Sequence, residues 1–399
     1  MTLLIDPPNS VGHGRLWSHL ASDESYDELH RFAETLGIPR RGFDRDHYDI
    51  PADRYDAVVA AGAEPVSSRE LIRRLHAAGL RRRKAEALRP RRPGQSLVRA
   101  RRLVPGDTVA VVAPAGPVPA ERLGAGLEVL RSWGLVVREM PQVRGRLDDL
   151  DYLAAPDDAR AADLMAAWTD PGVAAVVAAR GGYGTQRILD LLDWDLLAAA
   201  GPKVLLGFSD VTALHQAVGR YLGLSTLHGP VVTSLGAADA ASRDHLRRML
   251  FEPGAALSLT PHPVEPLVGG RTEGPLVGGN LSLLAAGTGT PTALPAEGCI
   301  AVLEDVDESP YRLDRLLTQL LRSGWFDGVR GIALGGFSGC GVEASLRVVF
   351  EDRLAPLGVP VLLGVPVGHA EHNLALPLGV HAVLDADAGT LTLREPALL

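Results

Sequence analysis

The sequence predicts an α/β protein: a small amino-terminal α/β domain, then a parallel-sheet domain, then a more strand-rich carboxy-terminal domain. Three observations carry this. From residue 107 onward, short apolar runs alternate with segments of helical period. Glycine-rich turns follow several of those runs, as they do where strands of a parallel sheet end. Between residues 81 and 102 the segment RRRKAEALRPRRPGQSLVRARR sets ten Lys or Arg against one Glu and contains Pro90, Pro93 and Gly94, which reads as a solvated linker. The expected boundaries are 1–85 for the small domain, 86–102 for the basic linker, 103–260 for the parallel-sheet domain and 261–399 for the last domain.

In the first domain, residues 3–5 form a short strand, Leu29, Phe32, Ala33 and Leu36 a helix ended by Gly37, and residues 69–78 a second helix. Polar chemistry is dense between them: Asp6, His13, His19, His30, Asp44, Arg45, Asp46 and His47. These could assemble a metal or phosphodiester site if the fold brings GHGRLWSH beside DRDH, but no fixed ligand spacing supports it, and solvated or hydrogen-bonded groups are the expectation.

In the second domain, residues 109–113 form a strand ending in PAGPVP, Leu123, Leu127 and Leu130 line a helix closed by Gly134, and residues 173–178 form a buried strand running into Arg180-Gly181-Gly182-Tyr183-Gly184. The segment 203–219, KVLLGFSDVTALHQAVG, reads as strand, turn and helix: Val204 to Leu206 are apolar, Gly207 permits the turn, Asp210 can cap the helix, and Val211, Leu214 and Val218 repeat at helical spacing. Ser209 therefore sits on a strand-to-helix corner, where a hydroxyl leaves the sheet edge beside amides at the positive end of a helix. The segment equally suits a simple helix cap. In the last domain Leu313, Leu316, Leu317, Leu320 and Leu321 mark an amphipathic helix stopped by Gly324, and residues 331–337, 359–365 and 381–384 are strands.

Composition bounds function. A net charge of −8 over 399 residues gives no global attraction to nucleic acid, and the basic segment lacks interleaved aromatics for base stacking. No run of about 18 apolar residues occurs, and the first residues lack a signal-peptide pattern, so the expectation is a cytoplasmic protein without membrane association. Cys299 and Cys340 are too few for a disulfide framework and are expected reduced and buried.

A serine nucleophile needs a base, and the base an orienting acceptor. His215 lies on the apolar helix face and reads as packed core; His228 in LHGP remains open; His369 in GVPVGHAEHN lies on a loop after a strand, where working side chains concentrate. Glu304 ends an apolar strand, and reads either as a buried, paired carboxylate or as the start of the solvated turn EDVDE. RGGYG lacks the nucleotide fingerprints and suits either a structural turn or an anion-stabilising one.

GDTVAVVAPAGPV, ARGGYGTQRILDLLD, LLGFSDVTALH, LHGP, GPLVGGNLSLL, LEDVDESPYRLDRLLTQL and VPVGHAEHNLALPLG together resemble, in order, the LD-carboxypeptidase family of serine peptidases, which includes murein tetrapeptide carboxypeptidases and microcin C self-immunity peptidases. The resemblance runs from residue 103 to the end. It implies a catalytic triad of Ser209, Glu304 and His369 that needs no metal or cofactor, and an oxyanion hole from the amides of Asp210 and of Gly181 or Gly182. It also implies a class I glutamine amidotransferase-like domain followed by a swivelling β/β/α-type domain, usually in a homodimer. Arg180 is a candidate for the substrate carboxylate, or else pairs with an internal acid, and Asn280 is a further candidate substrate contact. The implied reaction removes D-alanine from cytoplasmic murein tetrapeptides; the alternatives are cleavage of a peptidyl or aminoacyl nucleotide, which calls for a stacking aromatic, and a non-catalytic binding or regulatory role. Trp325 and Phe326 are expected to pack rather than to stack on a base. Residues 1–85 lie outside this resemblance and look like a small bacterial domain of unknown function.

Overall fold

The computed structural model describes residues 2–8, 10–12, 15–44, 46–78, 80, 96–260, 262 and 264–399. The chain forms two compact units, Met1–Ala87 and Leu88–Leu399. Among the described residues, no helix is long and apolar enough to cross a membrane.

The first unit is a sheet with helices. Strands β1 (Leu3–Ile5), β2 (Ser10–Gly12), β3 (Arg15–Ser22), β4 (Phe43–Asp44), β5 (His47–Pro51) and β6 (Glu64–Pro65) assemble in the order β4-β5-β3-β1-β6, with β2 on β3. The helices are Tyr26–Thr35, Tyr55–Ala60 and Ser68–Ala77. Ser25 caps the first of them, accepting from the Glu28 amide. Strand β3 is the segment whose polar residues disguised it: Ser18, Leu20 and Ser22 are buried, with His19 between them on the opposite side of the pleat.

The second unit holds two sheets. β7 (Thr108–Val112), β8 (Val136–Glu139), β9 (Val173–Ala178), β10 (Val204–Gly207) and β11 (Thr226–His228) pair in parallel in the order β8-β7-β9-β10-β11. Their near-continuous Val, Leu and Ala content reflects burial on both faces, and the helices Ala120–Ser132, Asp157–Thr169 and Thr212–Tyr221 cover them. From residue 265 the chain adds β12 (Glu265–Val268), β13 (Arg271–Asn280), β14 (Ile300–Val306), β15 (Gly331–Ser338), β16 (Val361–Leu363), β17 (Leu376–Leu378), β18 (His381–Asp385) and β19 (Thr390–Leu393). These form a second sheet, β12-β16-β15-β14-β13-β18-β19, except for β17. That strand returns to pair antiparallel with β11 at the edge of the first sheet, so one chain segment stitches the two sheets together. The amphipathic helix Pro310–Arg322 buries Leu313, Leu317 and Leu320 against the second sheet, where Trp325 and Phe326 also pack. Cys299 and Cys340 are both buried.

The basic segment departs from expectation at its far end. Residues 81–95 lie outside the described residues, but 96–102 are docked rather than solvated. Leu97, Ala100 and Leu103 are buried at a spacing of three, the Leu97 amide donates to the Gly379 carbonyl, and the Arg102 amide to that of Leu399. Arg99 pairs with Glu395 and donates to the Pro396 carbonyl. The density of arginine hid an apolar face of period three. Replacing Leu103 (1% exposed) with Ala should cost about 2–4 kcal/mol in denaturant unfolding of the second unit, whereas Arg101→Ala, at an exposed site, should stay within about 0.5 kcal/mol.

Candidate active site

Ser209 follows β10 and Phe208 and opens a short 3-10 turn, Ser209–Val211, that leads into the helix Thr212–Tyr221. Its φ is +63°, in the left-handed region that a serine seldom adopts, so the strain of the corner falls on the hydroxyl-bearing residue itself. Gly207 serves the corner differently from the expectation: its φ is not positive, and its missing side chain leaves room for Val211 and Ala178, which a Cβ would approach to 2.9 and 3.1 Å. Gly181 makes room in the same way, since a Cβ there would lie 2.9 Å from Ser209 Cβ and 3.1 Å from Ser209 Oγ. Gly182, at φ +114°, instead rests against Gly116 of the PAGP turn, whose amide donates to the Gly181 carbonyl.

Asp210 does not cap its own helix. Its carboxylate, 1% exposed, accepts from the Thr185 amide at 2.8 Å and so ties the Ser209 corner to the end of the RGGYG loop. Burial pushes this carboxyl above its ordinary value, although the Thr185 bonds oppose the rise. Arg160, which no sequence signal singled out, fastens the loop from below: its buried guanidinium donates to the carbonyls of Pro114, Gly184 and Ala155 and pairs with Asp157. His215 is packed core, as its helix face indicates, and its Nε2 lies 2.8 Å from the Gly207 carbonyl. Burial, with a smaller contribution from His228, lowers its pKa to about 3, so the ring is neutral and braces the corner through Nε2–H.

Glu304 lies inside β14, opposite Asn280 of β13, and is 0% exposed, which rules out the solvated acidic turn. Its Oε2 lies 2.5 Å from His369 Nδ1 and accepts from the His369 amide at 3.0 Å. Gly368, at φ +79°, allows this approach, because a Cβ would collide with the carboxylate. The loop carrying His369 is held further by Ser338, whose hydroxyl donates to the His369 carbonyl, and by Asn373, which accepts from the Gly368 amide. Burial alone would raise the Glu304 carboxyl; the two histidines beside it outweigh that and hold it below the usual range. Burial likewise opposes the His369 cation, yet the bond to Glu304 prevails and raises its pKa.

Among the described residues Ser209 and His369 share no hydrogen bond, but the rings of Phe208 and His369 are 4.8 Å apart, which brings the imidazole beside the corner. An imidazole that donates from Nδ1 to a carboxylate keeps its Nε2 lone pair for a proton. A hydroxyl on a strained corner, that base, and adjacent backbone amides can perform acyl transfer. His228, carried from the sequence as a possible base, is fully buried instead, with its Nε2 3.7 Å from Glu304 Oε1, beyond hydrogen-bond range. Neither its ring nitrogens nor Glu304 Oε1 has a hydrogen-bond partner among the described residues.

Of the candidate substrate contacts, Arg180 is exposed and donates to the Pro117 carbonyl at 2.8 Å, with no carboxylate partner among the described residues. Asn280 is spent on structure: it is 3% exposed, donates to Asp305, and accepts from the Leu283 amide as cap of the helix Leu281–Ala286. In the first unit, His13 and Arg45 lie outside the described residues, while β3 and β5 pair directly, so that His19 faces Asp49. Asp44 contributes backbone to β4, opposite His47. His30 bonds the Tyr48 hydroxyl at 2.8 Å, away from that pair.

Family models of the LD-carboxypeptidase N-terminal and C-terminal domains match residues 109–229 and 273–384. A carboxypeptidase homologue of Streptomyces coelicolor is 55% identical over 306 residues, which span 76% of this chain and 98% of that protein. The chain belongs to the LD-carboxypeptidase family. The murein tetrapeptide carboxypeptidase of Pseudomonas aeruginosa is 40% identical over 290 residues, 70% of this chain and 93% of the relative. Among solved structures, the microcin C7 self-immunity protein MccF in complex with aspartyl sulfamoyl adenosine superposes with a TM-score of 0.67 at 25% identity, covering 76% of this chain and all of that one. Membership of the LD-carboxypeptidase family supports peptidase activity for the second unit. Residues 3–78 match a separate family described as a protein of unknown function (DUF4031).

One titration follows from the geometry. The His369 ring should titrate above the ordinary 6.5 when followed by NMR, and Glu304→Gln should lower it, because burial is then opposed only by the more weakly acting Asp305 and Asp307. A His369 titration unchanged by that substitution would mean that the pair contributes nothing to it.

Proposed function

We propose that this LD-carboxypeptidase cleaves the amide between an L-centre and a carboxy-terminal D-residue by serine catalysis. The observation that carries the proposal is an imidazole, oriented through Nδ1 by a fully buried carboxylate, beside a serine at positive φ. Ser209 attacks the carbonyl; His369 accepts its proton and returns it to the leaving amine; Glu304 fixes the tautomer and offsets the imidazolium charge. The amides of Asp210 and of Gly181 or Gly182 receive the oxyanion, a contribution of about 3 kcal/mol per donor in comparable sites. Gly181 is the better candidate of the two, since its backbone abuts Ser209 Oγ. Arg180, exposed next to that glycine and without an acidic partner among the described residues, takes the substrate carboxylate. None of these steps calls on a metal. The likeness to a murein tetrapeptide carboxypeptidase favours a murein tetrapeptide as substrate, with release of D-alanine during cytoplasmic cell-wall recycling.

A second reading shares the chemistry and differs in substrate. The likeness to MccF and one structural feature favour a peptidyl or aminoacyl nucleotide: Tyr183 of RGGYG and Tyr152 are both about half exposed, with rings 5.7 Å apart. Such a pair offers a stacking surface for a base, and equally for the apolar face of a sugar.

Mass spectrometry of a murein tetrapeptide incubated with the protein should show loss of one alanine, and none with Ser209→Ala. Absence of that loss together with turnover of an aminoacyl nucleotide would establish the second reading; absence of both would refute the catalytic one. The acid limb of kcat/KM should lie above pH 6.5, because the base must be neutral and its pKa is raised. Glu304→Gln should lower kcat by about 10,000-fold, as loss of the orienting carboxylate does in comparable triads. Arg180→Ala should raise KM about tenfold for the free acid and leave a carboxy-terminal amide of the same peptide unaffected; equal effects on both would remove Arg180 from carboxylate recognition.

A further inference from the structure

The first unit contains a convergence of side chains that the peptidase does not use. Strands β3 and β5 run antiparallel with His19 directly opposite Asp49. His47 precedes Asp49 by two residues on β5, so the period of the pleat brings His19, His47 and Asp49 onto one face of the sheet, while Leu20, Tyr48 and Ile50 are buried in the core from the other. Nε2 of His19 is 3.9 Å from Asp49 Oδ1, and Nε2 of His47 is 3.4 Å from the same oxygen. The two rings meet edge to face, their centroids 4.9 Å apart.

Both imidazoles are held from behind by a buried carboxylate. His19 Nδ1 lies 2.9 Å from Asp6 Oδ2, and Asp6, 1% exposed, is fixed in turn by the His19 amide and the Ser68 hydroxyl. His47 Nδ1 lies 2.6 Å from Oδ1 of Asp46, which is also 1% exposed. A carboxylate at Nδ1 selects the tautomer that carries its proton there and a lone pair at Nε2. Nε2 of each ring then lies towards the Asp49 carboxylate, so that two imidazoles and one carboxylate converge on a single space. We propose that His19 Nε2, His47 Nε2 and the Asp49 carboxylate bind one divalent first-row transition-metal ion of the zinc type.

The donor set selects that class of ion. Imidazole nitrogens suit zinc, cobalt and nickel, whereas magnesium and calcium prefer all-oxygen shells. The donor atoms of the three residues lie within 4.8 Å of one another. Tetrahedral zinc, with bonds of about 2.0–2.1 Å, needs its ligands about 3.4 Å apart, so binding closes the widest gap, 4.8 Å, by about 1.4 Å. Asp49 is 47% exposed, and turning its side chain closes the 3.9 Å approach to His19, whereas the gap between the two rings closes by movement of the imidazoles. Three protein ligands leave a coordination position for water or an oxyanion, the composition of an open site rather than of a purely structural one. This site and the peptidase reading rest on different residues, and each survives the failure of the other.

The test uses the full-length chain, stripped with a chelator, dialysed, and titrated with Zn²⁺ by calorimetry and with Co²⁺ by absorption spectroscopy. The expected result is one ion per chain and visible Co²⁺ bands of a low-coordinate site. His47→Ala should weaken binding at least 100-fold, and Asp46→Asn, which alters the carboxylate behind the ring, about 10- to 100-fold. Asp49→Ala, at an exposed position, leaves the fold intact by circular dichroism and still weakens binding, so the test holds even if a histidine variant fails to fold. Failure of both ions to bind stoichiometrically, or binding undiminished in Asp49→Ala and His47→Ala, would overturn the proposal.

Discussion

A carboxylate with no exposed surface is the constraint around which the second unit is arranged. Taking a charge out of water costs several kcal/mol unless close partners replace the hydration. Glu304 meets that requirement with the ring and amide of His369 on one oxygen and the nearby His228 ring on the other side. Its partners come from separate parts of the chain: β14 supplies the carboxylate, the loop after β16 supplies His369, and β11 of the other sheet supplies His228. One buried charge therefore has neighbours from both sheets close to where the Ser209 corner emerges. Glycine at 368 follows from the same demand, since any side chain there would occupy the carboxylate's place.

Around Ser209 the backbone is organised in advance. The corner residue has a positive φ, Gly181 and Gly207 remove atoms where the chain must come close, and Asp210 and Arg160 tie the RGGYG loop to the elements on either side. Amides held in this way have no reorganisation left to undergo when charge develops on a bound carbonyl oxygen, which is where electrostatic catalysis gains most. Strain at Ser209 persists because these neighbours over-determine it.

The two units use one device for different ends. In each, an imidazole is gripped at Nδ1 by a buried carboxylate, Glu304 behind His369 and Asp6 and Asp46 behind His19 and His47. What differs is what lies near the ring. Beside His369 it is the Ser209 corner; in the first unit a second imidazole and a carboxylate share the space, the composition of a cation site.

Periodicity in the sequence determined the buried strands, the amphipathic helix at 310–322 and the α/β class, because local propensity and burial agree there. It also placed Ser209 on a corner, while the small number of cysteines pointed to Cys299 and Cys340 as buried thiols. The motifs named the family without revealing why Gly207 is glycine, since the steric demand comes from Val211 and Ala178 of neighbouring elements. Local reading misled where charge masked packing: Leu97 and Ala100 dock beneath their arginines, and β3 is a strand despite its polar residues. Only the tertiary structure decided that Glu304 is buried, that Arg160 braces a loop far from it in sequence, and that His19 meets Asp49. Each of these depends on contacts across many residues, and a pairing of that kind leaves no period or spacing in the chain by which it could be read.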